Sequence, residues 1–290
     1  MTNFTTRPIK RKLSRFEKSS IPDTSGLALV LPGSPGTEVE ELLEAGFNPL
    51  AIRGVENDVE NYDKLFSHYA DLIALYNTDL LHFVRGSRLR GKYSYAHLDM
   101  CGHLSDYDTD LATVLPKLMS HRSRLRLTYM WGRKSVDRKE FESLLIEEVL
   151  LKICRSGMEG DHSKYRWEEL WNSILDSSPE NVTPLAALSM VIASFFLGAS
   201  PFEVSHDLIK EPKGTHGIGG LKRYHYSDNN GSHMSTVWVN LSPVPNRGRP
   251  FDELYTMLSD IPSFGSSNFN QLEEKANAAE DRRAARRTRT

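Results

Sequence analysis

Short apolar runs alternate with helical stripes of hydrophobic residues through the first half of the chain, and this alternation constrains the fold most. LALVL at residues 27–31 leads into the glycine-rich turn PGSPG, after which Val39, Leu42 and Leu43 recur at helical spacing. The same pairing of strand and helix repeats through PLAIRGVE, DLIALYN, YSYAHLD and LRLTYMW, up to about Leu151. Repeated β-α units predict a mainly parallel, doubly wound sheet.

The second half of the chain departs from this repeat in two places. Residues 155–213 have a purely helical pattern, and one predicted helix face consists of Trp167, Leu170, Trp171, Ile174 and Leu175. Farther on, LKRYHY and HMSTVWVNL flank the turn cluster SDNNGS, a pattern typical of an antiparallel hairpin. We therefore predict a helical insertion followed by two antiparallel strands at the end of the sheet.

Charge is divided unevenly along the 290 residues, although the formal net charge is only −2. Residues 1–20 hold six Lys/Arg against one acid, residues 271–290 hold six against four, and the body between them holds 24 basic and 33 acidic side chains. We expect a basic N-terminal arm (1–20), a single domain (21–270) and a charged C-terminal tail (271–290). Basic ends on a body with a balance of −9 suggest contacts with a polyanion.

Composition and short motifs exclude several classes of protein. Hydrophobic residues make up 39% and charged residues 26% of the chain, which is typical of a soluble globular protein. Two cysteines, Cys101 and Cys154, cannot form a disulfide framework and indicate a reducing compartment. The basic start lacks the apolar segment of a secretory signal, and the apolar stretch 184–198 is shorter than the roughly 20 residues that span a bilayer. We expect a cytoplasmic protein without membrane contact.

Three acids follow successive predicted strands in phase with the β-α repeat. Starting from Gly33, the intervals to Glu56, then Asp79, then Asp99 are 23, 23 and 20 residues. Because the carboxyl ends of parallel strands meet at one edge, we expect these acids to line one ligand pocket beside the first turn. A carboxylate at Glu56 can accept both hydroxyls of a ribose, and one at Asp79 can accept the exocyclic amine of a purine. Taken singly, each acid is more commonly a solvated loop residue or a helix cap.

With these residues the chain resembles the class I, Rossmann-like S-adenosylmethionine-dependent methyltransferases over about residues 27–241. The terminal hairpin favours this family over dinucleotide dehydrogenases, which normally lack it. The resemblance implies an α/β fold with a doubly wound, mainly parallel Rossmann-like sheet that ends in an antiparallel hairpin, and it implies S-adenosylmethionine as the cofactor. It also implies Asp99 as a catalytic residue that orients the methyl acceptor. The cofactor-binding residues that it implies are Gly33, Ser34, Gly36, Glu56, Asp79, Leu80 and Asp99.

Two features depart from the family's pattern. The stretch Val30-Leu31-Pro32 lacks the acid that usually precedes the glycines and holds the methionine amino group. Glu38 is either a substitute for that acid or a first-turn acid favoured by the helix dipole. The fourth motif, LDMCG, is not the Asp/Asn-Pro-Pro-aromatic signature, which argues against an adenine-N6 or cytosine-N4 enzyme of the usual type. The alternative to an enzyme is a catalytically inactive Rossmann-like binding or assembly protein.

Residues around Asp99 are compatible with other chemistries. Cys101 is either a nucleophile for pyrimidine C5 methylation or an inert buried thiol. Together with His97 and His103 it has a spacing that resembles a metal site, but adjacent ligands on one strand cannot close a tetrahedron around zinc without bending. We interpret these histidines as hydrogen-bonding residues near the pocket and predict no metal. His216, in GTHGIGG, precedes a predicted strand rather than a helix, and so fails the test for a phosphate cradle.

Basic residues interleaved with aromatic ones suggest where a nucleic acid binds. The segment RGSRLRGK lies between the third and fourth predicted strands, and we expect it near the ligand pocket. Such residues suit phosphate contacts and base stacking, and equally suit a scattered solvated surface. DNA or RNA is the preferred methyl acceptor, with a small molecule or a protein as the fallback. The residues concerned are Arg85, Arg88, Arg90, Lys92, Arg133, Lys134, Lys222, Arg223, Tyr224, Tyr226, Arg282, Arg283, Arg286 and Arg287.

Overall fold

A computed structural model of the chain describes residues 14, 17–18, 20–21, 23–33, 36–100, 102–104, 109–131, 136–160, 163–227, 233–243, 250–259 and 266–267. Among the predicted site residues, Ser34 lies outside the described residues, and so does Cys101. Most of the predicted N-terminal arm, the whole C-terminal tail, the hairpin turn at 228–232, Arg133 and Lys134 also lie outside them.

The described strands form one eight-stranded sheet. In chain order they are β1 (Leu27–Val30), β2 (Ile52–Glu56), β3 (Ala74–Asn77), β4 (Tyr93–Asp99), β5 (Met119–Trp131), β6 (His216–Ser227), β7 (His233–Pro243) and β8 (Ser266–Ser267). Their order across the sheet is β3-β2-β1-β4-β5-β7-β6-β8. β1 to β5 are parallel to one another, and β7 runs antiparallel to both β5 and β6. The predicted fold class, a mainly parallel Rossmann-like sheet with an antiparallel pair at its end, is confirmed.

Ten α-helices accompany the sheet within the described residues. They are α1 (Thr37–Glu44), α2 (Val59–Tyr69), α3 (Leu80–Gly86), α4 (Thr109–Val114), α5 (Val136–Ile146), α6 (Lys152–Glu159), α7 (Lys164–Leu175), α8 (Pro179–Val191), α9 (His206–Lys210) and α10 (Pro250–Ser259). Short 3₁₀ turns cover Pro49–Ala51, Leu115–Lys117 and Pro201–Glu203, and π-helical turns cover Glu147–Leu151 and Ile192–Leu197. In this described part of the chain, no helix is long and apolar enough to cross a membrane.

Alternate residues of the strands enter two different cores. Ala28 and Val30 of β1 pack in a cluster with Val39 and Leu42 of α1. Leu29 belongs instead to the larger core, which includes residues of α5 to α8. All seven residues of β4 are buried, as expected for a central parallel strand that is covered on both faces.

The insertion between β5 and β6 is helical from Val136 to Lys210, interrupted by short turns. Three residues of the predicted helix face of α7 are buried, with Trp167, Leu170 and Ile174 each at most 4% exposed. Trp171 on that face is half-buried, and Leu175 is 54% exposed at the end of the helix. α7 lies so close to α6 that a Cβ atom added at Gly157 would overlap the Trp167 ring. These helices therefore pack as a unit against the larger core.

Several boundaries differ from the sequence prediction. β5 has thirteen residues and begins at Met119, before the predicted LRLTYMW. β6 begins at His216, so that most of GTHGIGG is strand rather than loop. At the N-terminus, Glu17 and Lys18 are at most 1% exposed. Glu17 and Lys18, near the end of the predicted arm, therefore pack within the fold.

Candidate functional site

The carboxyl edge of the parallel strands brings several predicted site residues together. β1 has β2 on one side and β4 on the other, so the direction of chain order reverses across β1. Val30, the last residue of β1, lies beside Gly54 of β2 and beside His97 of β4. Glu56 and Asp99 follow two residues later on their strands, and therefore extend about 7 Å past the end of β1 on its two sides. A crevice at such a reversal point is where open α/β sheets bind their ligands.

The first turn closes this crevice at its centre. Gly33 and Gly36 have φ angles of 52° and 81°, a left-handed conformation that favours glycine. The Gly36 N–H donates to the Gly33 carbonyl at 2.9 Å, and Gly36 then caps α1 without a side-chain hydrogen bond. A Cβ atom added at Gly33 would meet no atom within 4 Å, so the space beside this residue is open. Glu38 lies in the first turn of α1 and is only 1% exposed.

The acids that follow β2 and β3 are both engaged with nearby backbone. Glu56 is half-buried, and its Oε1 accepts a hydrogen bond from the Asp58 N–H at 2.9 Å. Asp79 is exposed and caps α3, since its Oδ1 accepts from the Leu81 N–H at 2.8 Å and from the His82 N–H at 3.2 Å. Leu80, the first residue of α3, is buried. These bonds hold both carboxylates at the ligand edge, and the bonds of Asp79 are those of a helix cap.

Asp99 ends β4 and is 6% exposed. It lies beside Thr128 of β5. After it the chain continues alongside β5, because the Met100 N–H donates to the Thr128 carbonyl at 3.0 Å and the Met130 N–H donates to the Gly102 carbonyl at 2.6 Å. This pairing fixes the segment that would face a methyl acceptor next to the end of β5.

The other histidines and cysteines that sequence patterns single out have different surroundings. Across the described ranges no three His, Cys, Asp or Glu side chains cluster as metal ligands. Burial raises the pKa of the Cys154 thiol to about 12, so this thiol stays protonated. His216 lies at the amino end of β6, where its Nε2 is 3.1 Å from the Ser120 carbonyl, and burial lowers its pKa. His216 therefore lies at the amino edge of the sheet, opposite the crevice.

A buried charged cluster, which sequence reasoning missed, covers one face of β4 and β5. The Glu17 carboxylate is fully buried and lies 3.3 Å from Arg124 and 3.4 Å from Arg126. It also accepts a hydrogen bond from the Tyr95 hydroxyl at 2.7 Å. Burial and the Glu17 carboxylate raise the pKa of Tyr95 well above its usual value, so this hydroxyl remains a donor. We call Glu17, Tyr95, Arg124 and Arg126 the Glu17 cluster.

The Glu17 cluster is connected to the ligand edge and to α1. Arg126 donates from Nε to the Thr236 hydroxyl at 3.1 Å, and that hydroxyl lies 2.9 Å from the hydroxyl of Thr128. Thr128 in turn is 3.2 Å from Nε2 of His97, two residues before Asp99. In the other direction, the Lys18 ammonium forms a buried ion pair with Glu41 of α1 at 2.7 Å. The segment around Glu17 thus links the helix of the first turn to the strands that carry the edge.

The end of the basic segment between α3 and β4 lies at the edge of the sheet opposite the crevice. The Lys92 carbonyl accepts from the Leu27 N–H at 2.9 Å, at the first residue of β1. The Gly91 N–H donates to the carbonyl of Lys117, just before β5, at 2.9 Å. Arg90 and Lys92 therefore lie at the amino edge of the sheet, about 20 Å along β4 from Asp99. The prediction that they lie near the ligand pocket is wrong.

Known proteins share at most a distant likeness with this chain. No family model and no curated protein matches the sequence. Solved structures with such a likeness include methyltransferases, among them the 1,6-didemethyltoxoflavin-N1-methyltransferase of Burkholderia thailandensis. M. jannaschii TYW2, solved with AdoMet, has a TM-score of 0.45 at 8% identity over 84% of this chain and 79% of its own. Spermidine synthase of Thermotoga maritima has a TM-score of 0.46 at 8% identity over 96% and 76%. At these values the likeness assigns no activity to this chain.

Proposed function

We propose that this protein is an S-adenosylmethionine-dependent methyltransferase whose acceptor is a nucleic acid. The observation that carries the proposal is the strand register, which extends Glu56 and Asp99 past the end of β1 on either side of the first turn. Gly33 has open space where a side chain would otherwise stand, whereas a Cβ atom at Gly36 would meet the Tyr69 ring. The first turn, the acid that ends β2 and the acid that ends β4 therefore adjoin one crevice.

Each side chain in the crevice has a role under this proposal. Gly33 and Gly36, with Ser34 between them, let the backbone approach the methionine end of the cofactor. Glu56 accepts the ribose hydroxyls with the carboxylate oxygen that does not bind the Asp58 amide. Asp79 and Leu80, at the start of α3, flank the adenine. Glu38, buried in the first turn of α1, is the available acid for the methionine amino group.

The chain's part in catalysis is mainly alignment. When bound, the cofactor supplies an activated methyl group on a sulfonium. Asp99 orients the acceptor atom toward that group and is itself held by the pairing of β4 with β5. Holding the reactants in line lowers the activation free energy, by on the order of 7–11 kcal/mol in well-aligned systems.

Ligand titration tests the cofactor assignment. The folded protein is titrated calorimetrically with S-adenosylmethionine and with S-adenosylhomocysteine. Glu56→Ala is expected to weaken binding about tenfold or more, because charged hydrogen bonds contribute about 1.5–3 kcal/mol. Glu60→Ala, at an exposed acid of α2, is the matched control and should bind like the parent. Equal affinities for the two variants would show that the ribose lies elsewhere.

The nucleic-acid acceptor rests on charge. Residues 1–20 and 271–290 are each net basic, whereas the body carries −9. Deleting residues 1–13 and 282–290 retains Glu17 and Lys18 and removes most basic residues of both ends. Affinity for polynucleotide should fall, and its dependence on salt should become less steep, because fewer counterions are released. An unchanged salt slope would contradict a role for the ends in phosphate binding.

A second candidate function is binding or assembly without catalysis. It is favoured by the absence of an acid in Val30-Leu31-Pro32 and by the atypical motif at Asp99-Met100. The calorimetric titration separates the two candidates. A folded protein that binds neither cofactor at millimolar concentration would favour the inactive alternative.

A further inference from the structure

A cavity of about 550 Å³ lies beside the edge strand β3. Its lining comes from β3, from Thr78, from α3 and from residues 87–89, and it includes neither Glu56 nor Asp99. The volume is in the range of small-ligand sites, about 300–1,000 Å³. We call it the β3-edge groove. The side chains that bring polar or aromatic groups to it are Tyr76, Asn77, Thr78, His82, Phe83, Ser87 and Arg88.

One wall of the β3-edge groove is aromatic. The rings of Tyr76 and Phe83 have centroids 4.8 Å apart and planes inclined at 53°. Tyr76 remains 38% exposed although it lies on a strand of the sheet. An exposed ring beside a cavity provides an apolar face on which a planar ligand can stack.

The groove also has a cationic side chain. Arg88 lines it and is exposed, and the polar side chain of His82 is exposed at the same cavity. Residues 80–98 contain four Lys/Arg and no acid, and the preceding acid, Asp79, is engaged in capping α3. The Arg88 guanidinium can therefore pair with an anion next to the aromatic wall.

We propose that the β3-edge groove binds a nucleoside phosphate, with the base stacked on Tyr76 and the phosphate held by Arg88. A ligand with an aromatic ring and an attached anion matches both the aromatic wall and Arg88, whereas a purely apolar ligand would leave the Arg88 guanidinium without a counter-charge. The same chemistry is present in a free nucleotide and in one unit of a single strand of DNA or RNA. The proposal does not depend on methyl transfer, since it concerns a second site.

Binding assays with four variants test the groove. Adenosine monophosphate, uridine monophosphate and a short oligothymidylate are titrated against the full chain, followed by NMR for the mononucleotides and by fluorescence anisotropy for the oligonucleotide. Tyr76→Ala is expected to weaken binding about fivefold or more, whereas Tyr76→Phe keeps the ring and should bind like the parent. Arg88→Ala should weaken binding and lower the salt slope for the oligonucleotide by about one. Tyr165→Ala, at a tyrosine 79% exposed on α7, is the control.

The outcomes separate the possible ligands and the two proposals. Tight binding of the oligonucleotide alone identifies a nucleic-acid strand, and equal binding per nucleotide identifies free nucleotides. Parent-like affinity of Tyr76→Ala would overturn the proposal, and so would displacement of the nucleotide by S-adenosylhomocysteine, because the groove would then belong to the cofactor crevice. Glu56→Ala should leave nucleotide binding unchanged, so failure of the cofactor proposal is distinguishable from failure here.

Discussion

The two faces of the central strands β4, β5 and β7 are covered in different ways. On one face, Leu98, Leu127 and Val239 share the large apolar core with α5 to α8. On the opposite face, alternate residues of the same strands contribute Tyr95, Arg126 and their partners to the Glu17 cluster. The apolar face is stabilised by burial of hydrophobic area, which needs no particular partner. The polar face depends on specific partners, because a buried charge without a counter-charge is costly.

The difference shows where the fold is connected to its candidate site. The hydrogen bonds of the polar face continue from Arg126 through Thr236 and Thr128 to His97, next to the crevice. Polar contacts of α8 on the apolar face include the hydrogen bond from Thr183 to Glu142 and the one from Arg223 to Asn181. Substitutions on the polar face should therefore affect both stability and the site.

The largest expected effect comes from Glu17→Ala. The variant leaves Arg124 and Arg126 buried without their counter-charge, and the free energy of unfolding should fall by about 3–5 kcal/mol. Urea denaturation measures this loss. Glu60→Ala, which breaks an exposed pair with Lys64, should cost less than about 1 kcal/mol. Similar losses for the two variants would contradict a specific role for the cluster.

A substitution that creates a cavity on the apolar face should lower the free energy of unfolding by a similar but slightly smaller amount. Leu127 is 2% exposed, and Leu127→Ala should lower the free energy of unfolding by about 2–5 kcal/mol. Its effect on cofactor affinity at a temperature where the protein stays folded should be small. Leu50→Ala, at a side chain 73% exposed, serves as the control. If Leu127→Ala lost more cofactor affinity than Thr236→Val, the apolar face would be the one connected to the site, contrary to what we expect.

Thr236→Val should have an intermediate effect on stability. Valine has the shape of threonine but no hydroxyl, so Arg126 and Thr128 lose a partner and unfolding becomes about 1–3 kcal/mol easier. We expect weaker cofactor binding as well, because His97 and Asp99 lie at the end of the same series of bonds. Thr256→Val, on the exposed side of α10, is the matched control. If Thr236→Val bound the cofactor as tightly as Thr256→Val, the hydrogen bonds of the polar face would contribute to stability but not to the site.

The smallest effect concerns pH. Burial lowers the pKa of His216 below its ordinary 6.5, so the unfolded chain binds a proton more readily than the folded protein. The stability associated with the neutral ring is present above about pH 6.5 and is lost as the pH falls through the lowered value. Urea midpoints over this range should decline less for His216→Asn than for the parent, with His68→Asn as an exposed control. Parallel curves for the parent and His216→Asn would contradict this assignment.

Much of the fold follows from local sequence patterns. YSYAHLD coincides with β4, and the Trp167 stripe coincides with the buried face of α7. The Glu17 cluster was not predictable in this way. Arg124 and Arg126 alternate with leucines, which on its own indicates a half-exposed strand. Their partner Glu17 is the single acid of a basic stretch and lies 109 residues from Arg126 along the chain.

The candidate site was predictable as far as strand phase determines it. Glu56 and Asp99 stand at the strand ends where the β-α spacing put them. The basic segment was misplaced because spacing does not say which edge of the sheet a connection reaches. Arg90 and Lys92 come after α3 has returned to the amino edge, a consequence of helix length and direction. The β3-edge groove was not predictable either, because strand spacing does not show that β3 lies at the edge of the sheet.

A crystal structure of the protein with S-adenosylhomocysteine tests the central claim most directly. We expect the ribose hydroxyls to donate to the Glu56 carboxylate, the adenine to lie between Asp79 and Leu80, and the sulfur to face Asp99. A ligand bound in another part of the sheet, or a crevice that stays empty at saturating ligand, would contradict it.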